Sequence, residues 1–191
     1  PMVFAIGPAG TGKTMLACYA AIQGLNDESF SKIILTRPAV SVEEDIGYLP
    51  GTLEEKMDPW TRPIMDIFGE FYTQTQIASM IKEKVIEICP LAFMRGRTFK
   101  SAFIIADEMQ NSTPNQMKML LTRMGDESKM VITGDLRQHD RKYDDNGLKD
   151  IYEKIKDKRH KHIECITFEH ADIERSLVVK DILEIYGDLK E

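Results

Sequence analysis

The sequence has few of the features that mark metal-binding, secreted or membrane proteins. Its 191 residues include only three cysteines, Cys18, Cys89 and Cys165, which are far apart and each flanked by apolar residues. A zinc site needs ligands at close spacing, so we interpret them as buried, reduced thiols of a cytoplasmic protein. No apolar run approaches the roughly 18 residues of a membrane helix, and no signal peptide is visible. We therefore expect no membrane partner.

Positive charge is not in excess either. The formal net charge of -6 argues against a general surface for binding polyanions. Two local basic clusters nevertheless occur, one between Lys156 and His162 and a second formed by Arg95, Arg97 and Lys100. The simplest interpretation of the first cluster is a solvated helix end, because cations favour helix C-termini. A local basic groove remains the alternative.

Repeats and low-complexity tracts are absent from the sequence, which instead alternates predicted strands and helices. Such alternation predicts one α/β domain over residues 1–191, with a mostly parallel sheet of five to six strands flanked by helices. The predicted strands are Met2–Ile6, Lys32–Thr36, Ala102–Ala106, Met130–Thr133 and Ile163–Phe168, with a sixth at Leu91–Met94. The predicted helices are Lys13–Gly24, Thr52–Phe68, Thr75–Ile88, Pro114–Met124, Gly147–Lys156 and Ile173–Tyr186.

One segment departs from this alternation. From about residue 39 to residue 90 the strand signal is weak, and Glu, Pro, Met and aromatic residues are frequent. We interpret it as a helical insertion at the carboxyl edge of the sheet, where such folds place ligand and partner loops. The chain also begins without Met, inside a predicted strand, so we expect that a natural N-terminal segment precedes it.

The first strand leads into a complete phosphate-binding motif, G-x-x-x-x-G-K-[ST]. Its glycines let backbone N–H groups converge on a phosphate at the start of a helix. Lys13 is expected to reach the β- and γ-phosphates, and the Thr14 hydroxyl is expected to ligate Mg²⁺. The predicted nucleotide-binding residues are Gly7, Pro8, Ala9, Gly10, Thr11, Gly12, Lys13, Thr14 and Met15.

Two acidic residues follow the strand Ala102–Ala106. A carboxylate at this position can hold Mg²⁺, and the next one can polarise an attacking water. We therefore assign Asp107 to the metal and Glu108 to the general base. Because the base lies beside the metal ligand, the expected nucleophile is water and the expected reaction is hydrolysis of the nucleotide.

A third element, Gly134-Asp135-Leu136-Arg137-Gln138, follows the strand Met130–Thr133. A polar side chain here can contact both the γ-phosphate and the water, and Gln138 is the candidate. By itself the pattern is weak, since it also fits an ordinary turn.

These motifs resemble those of a known family. "GPAGTGKT", "FIIADEMQN" and "GDLRQHD" resemble the P-loop, DE-box and GDxxQ motifs of superfamily 1 helicases. Together with "LTRPAV", "IGYLPGTLEEK", "MRGRTF" and "LLTRMG" they resemble the PhoH family of ATPases. The resemblance runs in order from Gly7 to about Asp140 and more loosely to Tyr186.

The resemblance implies a RecA-like core, ATP and Mg²⁺ as cofactors, RNA or single-stranded nucleic acid as a partner, and a homo-hexameric ring. It also gives Arg37, Arg95 and Arg97 positions near the site or the nucleic-acid face. Arg175 matches a family arginine that would reach the γ-phosphate of a neighbouring subunit. The flanking residues Glu174 and Ser176 depart from the family pattern, and an ion pair between Arg175 and Asp172 is the alternative.

Two other functions remain open from the sequence. The first is a nucleotide-gated assembly or binding module, in which Trp60, Phe68, Phe71 and Tyr72 would form a partner surface unless they are local core. The second is a small-molecule kinase, which the adjacent Asp107 and Glu108 disfavour.

Overall fold

The computed structural model describes residues 1–38, 53–137 (backbone only for 53–59) and 146–176, with residues 178, 179, 182 and 185 of the C-terminal segment. Within these ranges six strands form one sheet in which every neighbouring pair is parallel. The strands are β1 (Met2–Ile6), β2 (Lys32–Thr36), β3 (Ile86–Ile88), β4 (Ala102–Ala106), β5 (Lys129–Gly134) and β6 (Ile163–Thr167). Their spatial order is β3-β2-β4-β5-β1-β6, and the fold is a RecA-like α/β fold.

Five of the six strands confirm the sequence prediction. Three have the predicted bounds, β5 is one residue longer at each end, and β6 is one residue shorter. These strands were predictable because nearly all their side chains are apolar. A strand covered by helices on both faces needs apolar residues at consecutive positions. The central strand β4 is fully buried along its length.

Helices pack on both faces of this sheet. They are α1 (Lys13–Asn26), α2 (Leu53–Phe68), α3 (Gln74–Lys82), α4 (Pro114–Leu121) and α5 (Gly147–Ile155). Alternate side chains of β4 divide between the two faces: Phe103 and Ile105 pack with α1, whereas Ile104 packs with α4 and α5. The first helix could be placed because Lys13 opens it, and the fourth because Thr113 caps it next to Pro114.

The prediction of one helix over Thr75–Ile88 is wrong. Helix α3 ends at Lys82, because Lys84 adopts a left-handed conformation (φ 59°) and the Val85 N–H turns back to the Met80 carbonyl at 2.8 Å. The chain then leaves as β3, the outer strand of the sheet. Helices usually stop this way at glycine. With Lys at this position, the sequence gives no local sign of the stop.

The predicted strand at Leu91–Met94 is also wrong, since these residues form a short 3-10 helix. The Cys89 N–H makes the last bond of the strand ladder, to the Leu35 carbonyl at 2.8 Å. Pro90 follows and has no N–H to donate, so pairing ends there. Leu91 and Met94 are apolar because they are buried under the sheet, not because they pair in it.

The segment predicted as a helical insertion contributes α2, α3 and β3 in its described part. Ile64 and Phe68 of α2 join the core that α1 forms on one face of the sheet. Of the aromatic residues proposed as a partner surface, Phe68 is fully buried and Trp60 and Tyr72 pack against this core, whereas Phe71 is half exposed. Most of these aromatics are therefore local core.

The C-terminal helix predicted over Ile173–Tyr186 lies mostly outside the described residues. Within the part of the chain that the structure covers, no helix is long and apolar enough to cross a bilayer.

The three cysteines differ in environment. Cys18 and Cys89 are buried, as expected, but the expectation of a buried thiol at Cys165 is wrong, because this residue is exposed on the edge strand β6. Burial, with a smaller contribution from Asp107, raises the pKa of the Cys18 thiol to about 12. Cys18 is therefore an inert core residue.

We expect a single fast thiol in the native protein. At about pH 8 a disulfide reagent such as DTNB should modify Cys165 rapidly, and the two buried thiols should react only after unfolding. Absorbance at the released thiolate measures both phases, and Cys165→Ser should remove the fast phase. Two or more fast thiols in the native protein would contradict the burial of Cys18 or Cys89.

Candidate active site

The phosphate-binding loop joins β1 to α1 at the carboxyl edge of the sheet. Gly12 is the N-cap of α1 and has φ 76°, a left-handed conformation that suits glycine and orients the following N–H groups outward from the helix start. Glycine has no side chain to cap this helix, so the N-cap position supplies no side-chain acceptor to the first-turn N–H groups. Ala9 and Gly10 are exposed, and Met15 is partly exposed just beyond the loop. The loop thus presents backbone donors to an anion.

Lys13 lies inside the curve of this loop. Its ammonium donates hydrogen bonds to the carbonyls of Gly7 at 2.7 Å and Pro8 at 2.5 Å. Burial lowers the pKa of Lys13, while Asp135, Glu108 and Asp107 oppose that shift. One ammonium, from the loop after β1, and three carboxylates, two after β4 and one after β5, therefore share one electrostatic environment.

The carboxylate of Asp107 is the point at which three strand ends meet. Its Oδ1 accepts hydrogen bonds from the Thr14 hydroxyl at 2.7 Å and from the Thr133 hydroxyl at 2.5 Å. The Asp107 N–H in turn bonds to the Thr36 carbonyl at 2.9 Å. Thr14 and Asp107, the two residues assigned to the metal, are therefore in contact, and Thr133 is a partner that the sequence did not reveal.

This pair of oxygens fits a magnesium ion. A hydroxyl and a carboxylate are hard oxygen donors, the type that Mg²⁺ prefers, and Mg²⁺ commonly takes one or two protein oxygens together with substrate phosphates. Asp107 is buried, so its charge is little screened by solvent. Thr14 and Asp107 are the residues that would hold the ion.

Glu108 adopts a left-handed backbone conformation (φ 53°, ψ 40°) directly after Asp107. A non-glycine residue in this region is uncommon and is found mostly where the surrounding structure fixes it. The Glu108 carboxylate accepts a hydrogen bond from the side-chain amide of Gln110. The side-chain carbonyl of Gln110 accepts the Asp135 N–H at 3.2 Å.

Gln110 is thus a site residue that sequence reasoning missed. It is buried and links the expected base to the end of β5. The sequence carried one signal for this role. Gln110 is a polar residue two positions after Glu108, in a turn too short for all of its side chains to be solvated. Gly134 makes room for it, because a β-carbon on this glycine would lie 2.6 Å from the Gln110 amide oxygen.

The third predicted element is only partly covered by the structure. Asp135 is buried at the end of β5 and its carboxylate accepts the Arg137 N–H at 2.8 Å. Gln138 lies outside the described residues.

Arg175 lies beside the phosphate-binding loop of its own chain. Its guanidinium Nε and Nη2 would each be 3.4 Å from a β-carbon placed on Gly10. The carboxylate of Asp172, the alternative partner, accepts the Glu169 N–H at 2.7 Å. The arginine is therefore close to where the loop would hold a phosphate.

Comparison with known proteins points to the same family as the sequence motifs. The family profile described as "PhoH-like protein" matches residues 1–187. The chain belongs to the PhoH-like family. It is 46% identical over 186 residues to a PhoH-like protein of Bacillus subtilis and 45% identical over 189 residues to one of Synechocystis. It is 35% identical over 189 residues to Protein PhoH of Escherichia coli K12.

The matches cover 97% of this chain but only 58%, 56% and 53% of these three relatives, so the chain spans about half of their length. Membership of the PhoH-like family makes the chain a P-loop NTPase domain.

Two of the family-matched arginines have different surroundings from those expected of a free nucleic-acid contact. Arg97 forms a two-pronged ion pair with Glu87 of β3, at 2.5 and 3.1 Å, and its guanidinium lies 4.6 Å from the ring centre of Phe99. Arg37 is half-buried just beyond β2. Arg95 is exposed. The ion pair of Arg97 with Glu87 therefore links the outer strand β3 to the segment that follows it.

We expect Glu87→Gln to destabilise the domain by about 1 kcal/mol at neutral pH, because the ion pair is bidentate but partly exposed. The hydrogen bonds from Arg97 lower the pKa of Glu87. A carboxyl whose pKa is lower in the folded state stabilises the fold above its unfolded value, about 4.3, and loses that contribution as the pH falls through the folded value.

Urea unfolding measured near neutral pH and again in acid tests this. The difference between wild type and Glu87→Gln should shrink in acid. Asp126→Asn is the matched control and should change stability little, because the Asp126 carboxylate is exposed and lies 4.0 Å from the Lys100 ammonium. Equal effects of the two substitutions would contradict the role of the Arg97 pair.

Proposed function

We propose that this domain hydrolyses Mg-ATP and couples the hydrolysis to binding or remodelling of RNA or another single-stranded nucleic acid in the cytoplasm, as part of a homo-hexameric ring. The observation that carries the enzymatic half is the arrangement around Asp107. Its carboxylate lies 2.7 Å from the Thr14 hydroxyl, in the same electrostatic environment as Lys13 and directly before Glu108.

Each residue has a distinct part in this proposal. The loop N–H groups and the Lys13 ammonium bind the triphosphate, and Thr14 and Asp107 hold Mg²⁺, which offsets phosphate charge when bound. Glu108 accepts a proton from the attacking water, and Gln138 contacts the γ-phosphate and this water. Hydrolysis breaks the bond between the γ-phosphorus and its bridging oxygen and releases inorganic phosphate.

Arg175 would offset the negative charge that spreads over the γ-phosphoryl oxygens in the transition state. The resemblance implied that this arginine acts on the nucleotide of a neighbouring subunit. Its position beside Gly10 of the same chain favours an action on the chain's own nucleotide.

The nucleic-acid and ring parts rest mainly on the family resemblance. One structural feature favours assembly: Val178, Ile182 and Ile185 are 66%, 46% and 81% exposed, and their spacing of four and three residues places them on one helix face. An exposed apolar face is typical of a contact surface. It also suits the second candidate function, a nucleotide-gated assembly module in which hydrolysis is incidental.

Two measurements together separate these functions. The first is phosphate release from Mg-ATP with and without single-stranded RNA, and the second is the native mass of the protein. A nucleic-acid motor predicts release that RNA stimulates, in an oligomer. An assembly module predicts an ATP-dependent oligomer whose slow release is insensitive to RNA. Lys13→Ala should abolish turnover, and full activity of this variant would contradict the proposed phosphate site.

We expect Glu108→Gln to bind ATP normally and to lower kcat by roughly 10²–10⁴-fold, because the amide cannot accept the proton of the water. Steady-state kinetics and binding of a fluorescent ATP analogue measure the two effects. Glu83→Gln, which removes an exposed carboxylate at the end of α3, is the matched control and should leave kcat unchanged. Unchanged kcat in Glu108→Gln would remove Glu108 as the base.

Gln110→Leu should lower kcat roughly tenfold with little change in KM, because the leucine keeps the volume but loses the hydrogen bond that orients Glu108 and the bond from the Asp135 N–H that holds the amide in place. Gln116→Leu removes the side-chain amide that caps the start of α4, and it is the control for a general loss of stability. It should lower Tm without a specific loss of kcat. If Gln110→Leu changed KM and Tm but not kcat, Gln110 would be structural only.

A further inference from the structure

A cavity of about 420 Å³ lies at the edge of the sheet, between the end of α5 and the start of β6. Its volume is within the range of about 300–1,000 Å³ that ligand sites in proteins occupy. The apolar side chains Ile155 and Ile163 form part of its lining, and the basic cluster predicted from the sequence forms most of the rest. The cations of the cluster are exposed just beyond the end of α5, as expected of a solvated helix end, and they also line this cavity.

This cavity is separate from the candidate active site. Strand β6 runs parallel to β1 in the register that pairs Met2 with Ile163 and Ile6 with Thr167. The phosphate-binding loop follows Ile6, whereas the cavity surrounds Ile163, so the two lie at opposite ends of the same strands. Four residues of strand separate them by roughly 13 Å along the sheet.

The lining carries a small excess of positive charge on a chain of net negative charge. Lys158, Arg159 and Lys161 are exposed in the turn before β6, and Glu164 is the carboxylate that lines the cavity with them. Lys156 also lines it but is paired with Glu153 on α5. Asp157 lies in the same turn, but the cations outnumber the acids, so the local potential is positive.

One lining residue has an unmet hydrogen-bonding need. The Nε2 atom of His160 is buried and has no hydrogen-bond partner among the residues that the structure describes. A buried polar nitrogen without a partner costs free energy, and such groups in proteins are usually satisfied by a ligand or water. Because this atom is closed off from solvent, it is an unsatisfied polar group beside the cavity and not a contact open to an anion.

We propose that this cavity binds backbone phosphates of a single-stranded RNA at the sheet edge remote from the nucleotide site. The proposal rests on the nucleic-acid part of the proposed function. Two lysines and an arginine spread along one turn can contact successive phosphates of a strand, and Ile155 and Ile163 offer an apolar surface to the sugar. The exposed edge strand leaves the cavity open to a chain that continues past it.

The test compares a double variant, Lys158→Gln with Lys161→Gln, with a control of equal charge change. The control is Lys82→Gln with Lys118→Gln, two exposed lysines on α3 and α4. Fluorescence anisotropy with labelled oligo(U) RNA measures binding over a range of salt concentrations. We expect the cavity variant to bind roughly tenfold more weakly and to lose about 1.4 from the slope of log K against log salt, since each lost contact removes about 0.7.

The modification rate of Cys165 is a second measurement, and it reports where on the protein the RNA binds. It lines the cavity and is the exposed one of the three cysteines. Oligo(U) RNA should slow its modification by a neutral thiol reagent at least fivefold in the wild type and in the lysine control, but not in the cavity variant. Phosphate release without RNA should be the same in all three proteins, because the substituted lysines lie far from Lys13 and Glu108.

Each other outcome overturns the proposal in a recognisable way. If RNA binds the wild type and the cavity variant equally, with equal salt slopes, RNA binds elsewhere and the proposed function stands without this site. If inorganic pyrophosphate protects Cys165 but RNA does not, the cavity takes a small anion. If polyglutamate protects it and RNA does not, the partner is an acidic protein segment. Protection by none of these probes means that the cavity is not an anion site.

Discussion

The structure depends on one carboxylate, that of Asp107, which holds together the loop after β1 and the ends of β4 and β5. Two hydroxyls donate to the same oxygen of this buried carboxylate, and the backbone N–H of Asp107 donates to the Thr36 carbonyl at the end of β2. A buried carboxylate is unfavourable unless it is hydrogen-bonded, so the three neighbouring strand ends are constrained to meet around it. The phosphate-binding loop is then fixed in position relative to Glu108, which follows Asp107 in the chain.

Charge is arranged in two separate ways on this acidic chain. At the carboxyl edge of the sheet, anion binding relies on backbone N–H groups, a helix start and one ammonium, and three carboxylates interact electrostatically with that ammonium. Such a site can accept a triphosphate with its magnesium ion without an excess of cationic side chains. At the opposite edge, the cavity before β6 is lined by flexible lysines and an arginine. The first arrangement suits a compact ligand of defined geometry, and the second suits an extended polyanion.

The sequence predicts most of the fold and the centre of the site, because both depend on local patterns. Consecutive apolar residues are required in strands that helices cover on both faces, so β1, β2 and β4 could be bounded from the sequence. The stop of α3 at Lys82 could not, because Lys84 takes a left-handed turn that usually needs glycine. Likewise Leu91 and Met94 are apolar through burial alone. Thr133 and Gln110 became recognisable only when the sheet order placed β5 beside β4.

The central claim is that this loop and the Asp107 centre bind Mg-ATP with Glu108 positioned to activate water. A crystal structure with magnesium and a non-hydrolysable ATP analogue tests it most directly. The account predicts a triphosphate enclosed by Gly7–Thr14, magnesium between the phosphates and the oxygens of Thr14 and Asp107, and a water held by Glu108 in line with the γ-phosphate. A loop without the analogue at saturating concentration, or a Glu108 side chain directed away from the γ-phosphate, would contradict it.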